Sequence, residues 1–365
     1  MGRAVPLPVQ LGARPATADG AVRRWLLTVA ALVLLMVTIG GATRLTGSGL
    51  SITEWNLFMG TIPPLTEAAW LDVFAKYQAI PQYKLLNKGM GLDGFKFIFW
   101  WEWGHRFLGR MIGLAYAVPL AWFWLRGWLR ADLKLPLLGL LILGGLQGGI
   151  GWFMVQSGLS DRLDVSQYRL ALHLGMAFLL LGGLIWIVSE LTDRPTRERW
   201  HPMPPGHLTA ATVVVGLIFL QVLAGAFVAG LKAGLTYNTW PLMDGRLIPN
   251  GLATLSPWYL NVFENITTVQ FNHRLLAYVV TGVVLWHAAM IVRGADDERL
   301  RFSAALLSAA VVGQVLLGIW TLLWVVPLPL GLAHQGLAAV LFALAVRHAH
   351  LVRRTAAAIS GPASV

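Results

Sequence analysis

Four histidines combine a metal-binding side chain with a repeated spacing. His105 and His273 lie 168 residues apart, and His173 and His334 lie 161 residues apart. Each sits in an apolar stretch, roughly two to three helical turns from one end. Ionisable residues at such depth in a membrane are costly, usually face the bundle interior and usually have a partner. A lone buried histidine is most often a hydrogen-bonded structural residue, but four in duplicated positions predict a binding site.

Haem iron is the metal centre that two facing histidines can complete. A bare zinc or copper ion normally needs three or four protein ligands. A haem iron needs only two axial imidazoles, because the porphyrin supplies the other four nitrogen atoms. The chain has no cysteine, which excludes zinc–thiolate sites, iron–sulfur clusters and thiol nucleophiles. We therefore predict one haem between His105 and His173 and a second between His273 and His334.

Polar side chains accompany two of these histidines. Arg106 and Arg274 each follow a histidine directly, where the guanidinium could pair with a haem propionate or the side chain could extend to the membrane interface. Glu102 precedes His105 by three residues, which places both on one helix face. The matching residue in the second half, Gln270, cannot ionise. We predict that Glu102 takes part in proton transfer or charge stabilisation, with a purely anchoring hydrogen bond as the alternative.

Membrane-spanning helices must position these side chains. The chain has 365 residues, of which 56% are hydrophobic and 12% charged, whereas an average soluble domain has about 25% charged residues. A span needs about 17–25 apolar residues to cross the hydrocarbon core. The sequence predicts an all-α membrane protein with eight transmembrane helices. The predicted spans are Trp25–Thr43, Phe97–Leu125, Leu135–Val155, Leu170–Ser189, Leu208–Val228, Ile266–Val292, Phe302–Val325 and Gly331–Val346.

Basic residues indicate the orientation in the membrane. With eight crossings, both termini lie on one side, whose segments contain 16 Lys or Arg residues against 9 in the longer segments opposite. The positive-inside rule therefore places both termini in the cytoplasm and the histidines toward the outer face of a bacterial inner membrane. The net charge of +11 does not predict nucleic-acid binding, because the basic residues lie in short segments between apolar runs.

The chain is predicted to consist of two tandem, similar four-helix bundles. EWGHR (102–106) matches QFNHR (270–274), and Gln147 with Gly151 matches Gln314 with Gly318 at nearly the same offset. The outer loops also match, at an offset of 185 residues. Each half has four crossings, so both run in the same direction as a parallel repeat. The predicted units are a cytoplasmic segment (1–24), a first half (25–189), a cytoplasmic linker (190–206), a second half (207–346) and a cytoplasmic tail (347–365).

Other residues receive structural interpretations. His201, His207, His348 and His350 fall in or beside cytoplasmic segments and are expected to be solvated, and His287 is given no role. In the first outer loop an apolar helical face is predicted to lie on the bundle or on the bilayer. It is formed by Trp70, Val73, Phe74 and Tyr77. Close helix packing is expected to explain most glycines of the second and third spans. These are Gly104, Gly109, Gly113, Gly144, Gly145, Gly148, Gly149 and Gly151.

The order of these motifs resembles the haem A synthase family. Glu-x-x-His-Arg, His, Asn-His-Arg and His occur in turn on the second, fourth, sixth and eighth spans. The outer-loop strings GATRLTGSGLSITEW (41–55) and LTYNTWPLMDG (235–245) are also similar to the family, and the resemblance covers roughly residues 25–350. It implies an enzyme that oxidises a methyl group of haem O to a formyl group by successive hydroxylations, giving haem A for haem–copper oxidases.

The resemblance also implies roles for individual residues. Glu102, His105 and His173 match the family's substrate-haem site, where haem O is bound and haem A is formed, and His273 and His334 match its haem b site. Haem O synthase, an electron donor and cytochrome oxidase assembly factors are the implied partners. Some bacterial members carry cysteine pairs in the outer loops. This chain has none, so it resembles the cysteine-free branch of proteobacteria and mitochondria.

Two other functions fit parts of the pattern. A di-haem membrane cytochrome that only transfers electrons would use the same four histidines, although both haems would then lie toward one face. A transporter or assembly factor with structural histidines would be colourless. A visible spectrum and identification of the bound haem distinguish these possibilities.

Overall fold

The protein is mostly helical in the residues that its computed structural model describes, which are 15–56, 59–156, 164–193 and 206–357. His201 lies outside these ranges. The α-helices are α1 (Ala18–Leu45), α2 (Glu67–Gln78), α3 (Pro81–Leu85), α4 (Leu92–Leu125), α5 (Ala131–Gln156), α6 (Gln167–Thr192), α7 (His207–Gly230), α8 (Leu260–Glu264), α9 (Ile266–Gly294), α10 (Glu298–Leu323) and α11 (Leu328–Ala357). Eight of them, all except α2, α3 and α8, are long and apolar enough to cross a membrane, which confirms the predicted number of spans.

The eight long helices are described as two groups in chain order. The first group is α1, α4, α5 and α6, and the second group is α7, α9, α10 and α11. In the first group α1 contacts α4 and α6, and α5 lies between α4 and α6; in the second group α7 contacts α9 and α11, and α10 lies between them. The groups meet where α6 contacts α7 and α11 and where α1 contacts α11. Phe178 and Phe342 pack there with ring centroids 5.4 Å apart. Because lipid tails are as apolar as these side chains, close packing rather than exclusion from water holds such helices together.

The last helix is longer than the sequence predicted. It continues to Ala357, whereas the predicted span ended at Val346. The helix continues because the polar residues that follow the predicted span find partners inside the protein. Arg347 donates hydrogen bonds to both carboxylate oxygens of Asp193, just beyond the end of α6. This pair joins the first group to the second at the end of the bundle where α6 ends.

Three histidines predicted to be solvated are buried at the same inner end. His207, His348 and His350 are only 5%, 1% and 0% exposed, so the expectation was wrong for each of them. His287 Nε2 and His348 Nε2 lie 3.0 Å apart, and the Ser303 hydroxyl lies 2.7 Å from His348 Nδ1. A charged-residue count along the chain cannot detect this cluster, because its members come from four different helices.

The amphipathic helix of the first outer loop lies on the bundle. α2 begins after Thr66, whose side chain accepts a hydrogen bond from the backbone N–H of Ala69. Phe74 and Tyr77 are buried, with ring centroids 5.0 and 5.2 Å from that of Phe95 in α4. This contact attaches the segment between α1 and α4 to the first turn of α4.

Close packing explains few of the glycines. A methyl group at Gly109 would lie 3.3 Å from Met36, and one at Gly151 would lie 3.1 Å from His173. The prediction was wrong for the other six, because no atom of the described residues lies within 4 Å of the place a Cβ would occupy at Gly104, Gly113, Gly144, Gly145, Gly148 and Gly149. The first group therefore has an open face on α4 and α5. The repeat places larger side chains in the second group, at Asn272, Thr281, Val311, Val312, Val315 and Leu316.

Candidate functional site

All four candidate ligands lie near the starts of their helices. His173, His273 and His334 come six or seven residues after α6, α9 and α11 begin, about 10 Å along the helix axis. His105 comes later in α4, but the first turns of α4 pack against the outer-loop helix α2. Because these are every second span, their starts face the same side of the membrane. Each of the four side chains is half-buried.

The histidines meet in pairs, one pair in each group. The ring centroids of His105 and His173 are 6.5 Å apart, and the ring planes are inclined by 59°. A metal–imidazole bond is about 2 Å long, so a single metal ion between two facing nitrogens would fill a gap of this size. His273 and His334 occupy the matching positions of the second group.

Each imidazole packs against a glycine on a neighbouring helix. The pairs, with the distance from an added Cβ to the nearest ring atom, are Gly40–His105 (3.1 Å), Gly151–His173 (3.1 Å), Gly225–His273 (3.2 Å) and Gly318–His334 (2.8 Å). At such distances a methyl group would force the ring to move. The four glycines therefore form a cradle that leaves room for the ligands, and the cradle repeats in both groups.

Three of the four histidines are each contacted by a different glutamine, which lies one helical turn before the glycine that packs against the same histidine. Its Nε2 donates to the histidine's own backbone carbonyl in Gln147–His173 (3.1 Å), Gln221–His273 (3.0 Å) and Gln314–His334 (3.0 Å). The same nitrogen lies 3.1 Å from Nδ1 of His273 and 3.2 Å from Nδ1 of His334. In all three glutamines Oε1 is buried without a hydrogen-bond partner.

For the fourth histidine, His105, the repeat places a methionine at the position of the glutamine. Met36 precedes Gly40 by four residues, as Gln221 precedes Gly225, and both correspondences have the offset of 185 that relates the outer loops. The Met36 methyl group packs at Gly109, one turn beyond His105. Sequence reasoning used two of the glutamines only as repeat markers and missed Gln221. Extending the outer-loop offset back into the preceding helices would have found it.

The Glu102 carboxylate is buried, and both of its oxygens have partners. Oε2 accepts hydrogen bonds from the Ser51 hydroxyl (2.7 Å) and the Ile52 backbone N–H (2.8 Å). Oε1 is 2.6 Å from the guanidinium of Arg106. Arg106 also donates to the backbone carbonyls of Ile52 and Glu54. The two side chains therefore attach α4 to the loop that follows α1.

The second group repeats this attachment, but the donor and acceptor roles of the side chain and the loop are exchanged. Gln270 Nε2 donates to the backbone carbonyls of Ala233 (2.8 Å) and Thr236 (2.6 Å). Arg274 donates to Gln270 Oε1 (3.2 Å) and to backbone carbonyls of the same loop. Glu102 receives hydrogen bonds from its loop, whereas Gln270 gives them. The same sequence positions thus perform the same structural task through different chemistry.

Comparison with known proteins identifies the family. The model of the COX15-CtaA family, described as cytochrome oxidase assembly protein, matches residues 23–346. The chain belongs to this family. It is also similar to proteins named heme A synthase from Parvibaculum lavamentivorans (52% identical, 90% of this chain and 94% of the relative), Maricaulis maris (52%, 93% and 98%) and Brucella ovis (50%, 90% and 90%). Family membership confirms the resemblance shown by the histidine and outer-loop motifs.

In this family member the site suits haem better than a bare metal ion. Within the described part of the chain, no group of three or more His, Asp or Glu side chains could hold a metal ion. A metal between two histidines must therefore bring further ligands, as a porphyrin does. A metal-bound imidazole usually donates its second N–H to a nearby acceptor, which the unpartnered glutamine oxygens could be only after a turn of the ring, because the amide nitrogen and not the oxygen lies against Nδ1 of His273 and His334. Glycine cradles, paired rings and spare acceptors thus agree with haem.

Proposed function

We propose that this protein is a haem A synthase, which oxidises one methyl group of haem O to a formyl group by successive hydroxylations. The main support is that His105 and His173 lie together and that all four candidate histidines pack against glycines. The chain is also about half identical to proteins named heme A synthase. The haem groups supply the redox chemistry when bound. The chain's own residues bind the porphyrins, orient them and supply protons.

The first group is the substrate side in this proposal. His105 and His173 bind the iron of haem O, while His273 and His334 bind the iron of a resident haem b. The open glycine face supports the assignment, since it occurs on α4 and α5 but not at the matching positions of the second group. A substrate must enter and leave laterally through the helices, whereas a resident cofactor is best enclosed.

The residues beside the ligands hold the outer loops in place. Arg106 and Arg274 attach these loops to α4 and α9 through backbone carbonyls. Their pairing with haem propionates is a further prediction of the proposal. Glu102 is assigned proton transfer at the substrate, in addition to its contacts with the loop.

The protein's surroundings follow from its eight spans. It is a multi-pass inner-membrane protein. In our proposal both termini are cytoplasmic and the haem sites lie toward the outer face. Haem O synthase supplies the substrate, an electron donor supplies electrons, and the product passes to cytochrome oxidase assembly factors.

Haem analysis of the purified protein tests the proposal. We expect a low-spin, bis-histidine spectrum, and haem A in extracts of cells that also make haem O. Replacing His273 or His334 with alanine should remove most of the haem b, whereas His201→Ala, in the predicted cytoplasmic linker, should not. Unchanged haem in both single variants would refute the assignment. Bound haem without haem A formation would instead indicate an electron-transferring cytochrome, and a colourless protein would indicate a transporter or assembly factor.

A further inference from the structure

We propose that the three glutamines beside the histidines are positioning residues, and that the histidine without one is the exchangeable ligand of the substrate haem. Gln147, Gln221 and Gln314 would hold His173, His273 and His334 in place. His105, for which the repeat places Met36 at the position of the glutamine, would release and rebind iron as haem O enters and haem A leaves. The inference rests on the proposed function, because it explains how one chain holds one haem and exchanges another.

Each glutamine contacts both the backbone carbonyl and the imidazole ring of its histidine. The amide of Gln221 donates to the backbone carbonyl of His273 at 3.0 Å, and its nitrogen lies 3.1 Å from the ring Nδ1. Gln314 makes the same two contacts with His334, at 3.0 and 3.2 Å. A helical carbonyl already accepts one bond from its own helix. The second bond, from a neighbouring helix, therefore fixes the rotation of the ligand-bearing helix as well as the ring.

The unpartnered Oε1 atom of each glutamine is a hydrogen-bond acceptor that a metal-bound imidazole could use. An unsatisfied polar atom in the interior of a membrane protein is energetically costly, because no water is present to replace the missing hydrogen bond. All three Oε1 atoms are buried without a partner. An imidazole bound to iron through one nitrogen has an N–H on the other, and an acceptor for that N–H orients the ring and raises its basicity as a ligand. The ring Nδ1 of His273 and His334 lies against the amide nitrogen, so a turn of the ring toward Oε1 would be needed for this donation, and it would leave the bond to the backbone carbonyl intact.

At the position of Met36, His105 has neither the amide N–H donor nor the Oε1 acceptor that a glutamine would provide. A thioether has no N–H to donate and its sulfur is only a weak acceptor. The side chain is flexible and adapts to its surroundings. The neighbouring helix is adjusted for it: Gly109 accepts the Met36 methyl group, whereas the repeat places Ala277 at the matching position of α9. His105 therefore keeps its glycine cradle but lacks the amide that holds the other three rings.

This asymmetry coincides with the division of roles between the groups. In the second group both ligands have a glutamine, as a permanently bound haem requires. In the first group His173 has one and His105 does not, so the substrate haem meets one fixed and one loosely held ligand. Loss of such a hydrogen-bond partner typically lowers metal affinity by about 10–100-fold. That range separates a retained cofactor from an exchangeable substrate.

A reciprocal exchange of the two side chains tests the inference, because methionine and glutamine have nearly the same shape. Gln221→Met should loosen His273, and Met36→Gln should tighten His105. The readouts are carbon monoxide binding to the reduced protein, which requires an open axial position, and the rate of haem transfer to apomyoglobin, with each haem identified after extraction. Gln335→Met is the matched control, since Gln335 bonds only the Val37 carbonyl of α1 and no candidate ligand.

We expect Gln221→Met to make haem b reactive to carbon monoxide and to speed its transfer by about 10–100-fold. Met36→Gln should slow release of haem O or haem A by a similar factor without altering haem b, and Gln335→Met should change neither. Unaltered haem b behaviour in Gln221→Met, or unaltered release in Met36→Gln, would overturn the inference. Failure of the proposed function is a separate result, the absence of haem A from cells expressing the unaltered protein.

Discussion

At the scale of single residues, Glu102 and Gln270 occupy matching positions of the repeat but have different hydrogen-bonding partners. Aligned by sequence, they look like the same anchor with and without a charge, which would make glutamine an adequate replacement at position 102. The structure contradicts this equivalence. Ser51 and Ile52 point hydrogen-bond donors at Glu102, whereas Gln270 faces backbone carbonyls. Tolerance of glutamine in the second group therefore says nothing about the first.

We predict that Glu102→Gln lowers haem A formation by about 100-fold or more, the usual contribution of a general acid or base. The variant should keep its bound haem, and haem O or a hydroxylated intermediate should accumulate. Extraction and chromatography of the haems measure all three species. A near-normal yield of haem A from well-expressed Glu102→Gln protein would exclude a catalytic role.

Ser51→Ala separates chemistry from anchoring. It removes one hydrogen bond to the carboxylate, worth about 1.5–3 kcal/mol for a bond to a charged group, but it leaves the carboxylate itself. If Glu102 acts in catalysis, Ser51→Ala should retain most of its haem A formation. An equally large loss in Ser51→Ala would mean that attachment of the loop, and not proton transfer, is what Glu102 provides.

At the scale of elements, the glycines of the long helices have two different uses. Those at positions 40, 151, 225 and 318 let a helix approach a histidine ring on its neighbour. Those on the open face of α4 and α5 contact nothing. Both sets look alike in the sequence, because glycine spacing on one helix does not reveal what the facing helix carries.

We predict that Gly318→Ala displaces the His334 ring, since the new Cβ would lie 2.8 Å from it. Haem b retention should fall by about 10–100-fold, measured from the absorption spectrum and the haem content per protein. Gly149→Ala is the control within a comparable apolar helix, because nothing lies within 4 Å of its Cβ position. It should leave haem b unchanged. Full haem b with an unaltered spectrum in Gly318→Ala would show that the cradle does not constrain the ligand.

At the scale of the whole molecule, the two groups are joined differently at their two ends. At one end of the bundle, Arg347 pairs with Asp193 and Arg354 pairs with Glu190, so that charged residues of α11 bind the end of α6. At the opposite end, Arg44 of α1 donates to the backbone carbonyls of Ala229 and Gly230 at the end of α7. Polar contacts thus connect the groups at both ends of the bundle.

Orientation is tested on the intact chain. We predict cytoplasmic signals for reporter fusions after Thr192 and Val365, and external signals for fusions near Gly60 and Gly245. The reason is the excess of basic residues on the side of the termini. A cytoplasmic signal near Gly60 would reverse the orientation and move the histidine pairs to the inner face.

Much of the architecture could be predicted from the sequence because it depends on local properties. The length of an apolar run decides whether it spans the membrane, so all eight spans were found. The repeated offsets singled out the candidate ligands His105, His173, His273 and His334, whose assignment to haem iron stays a prediction. The same repeat, combined with the outer-loop strings, identified the family.

Only the tertiary structure decided what each polar side chain touches. Arg347, His348 and His350 read as a solvated tail, yet they are held by residues far away in the chain, such as Asp193 and Ser303. Gln221 and Met36 acquire meaning only when α7 and α1 are seen beside α9 and α4. Periodicity along one helix records which face is apolar. It does not record which atoms of a distant helix lie opposite, and those atoms determine whether a buried charge is paired and whether a ligand is held or free.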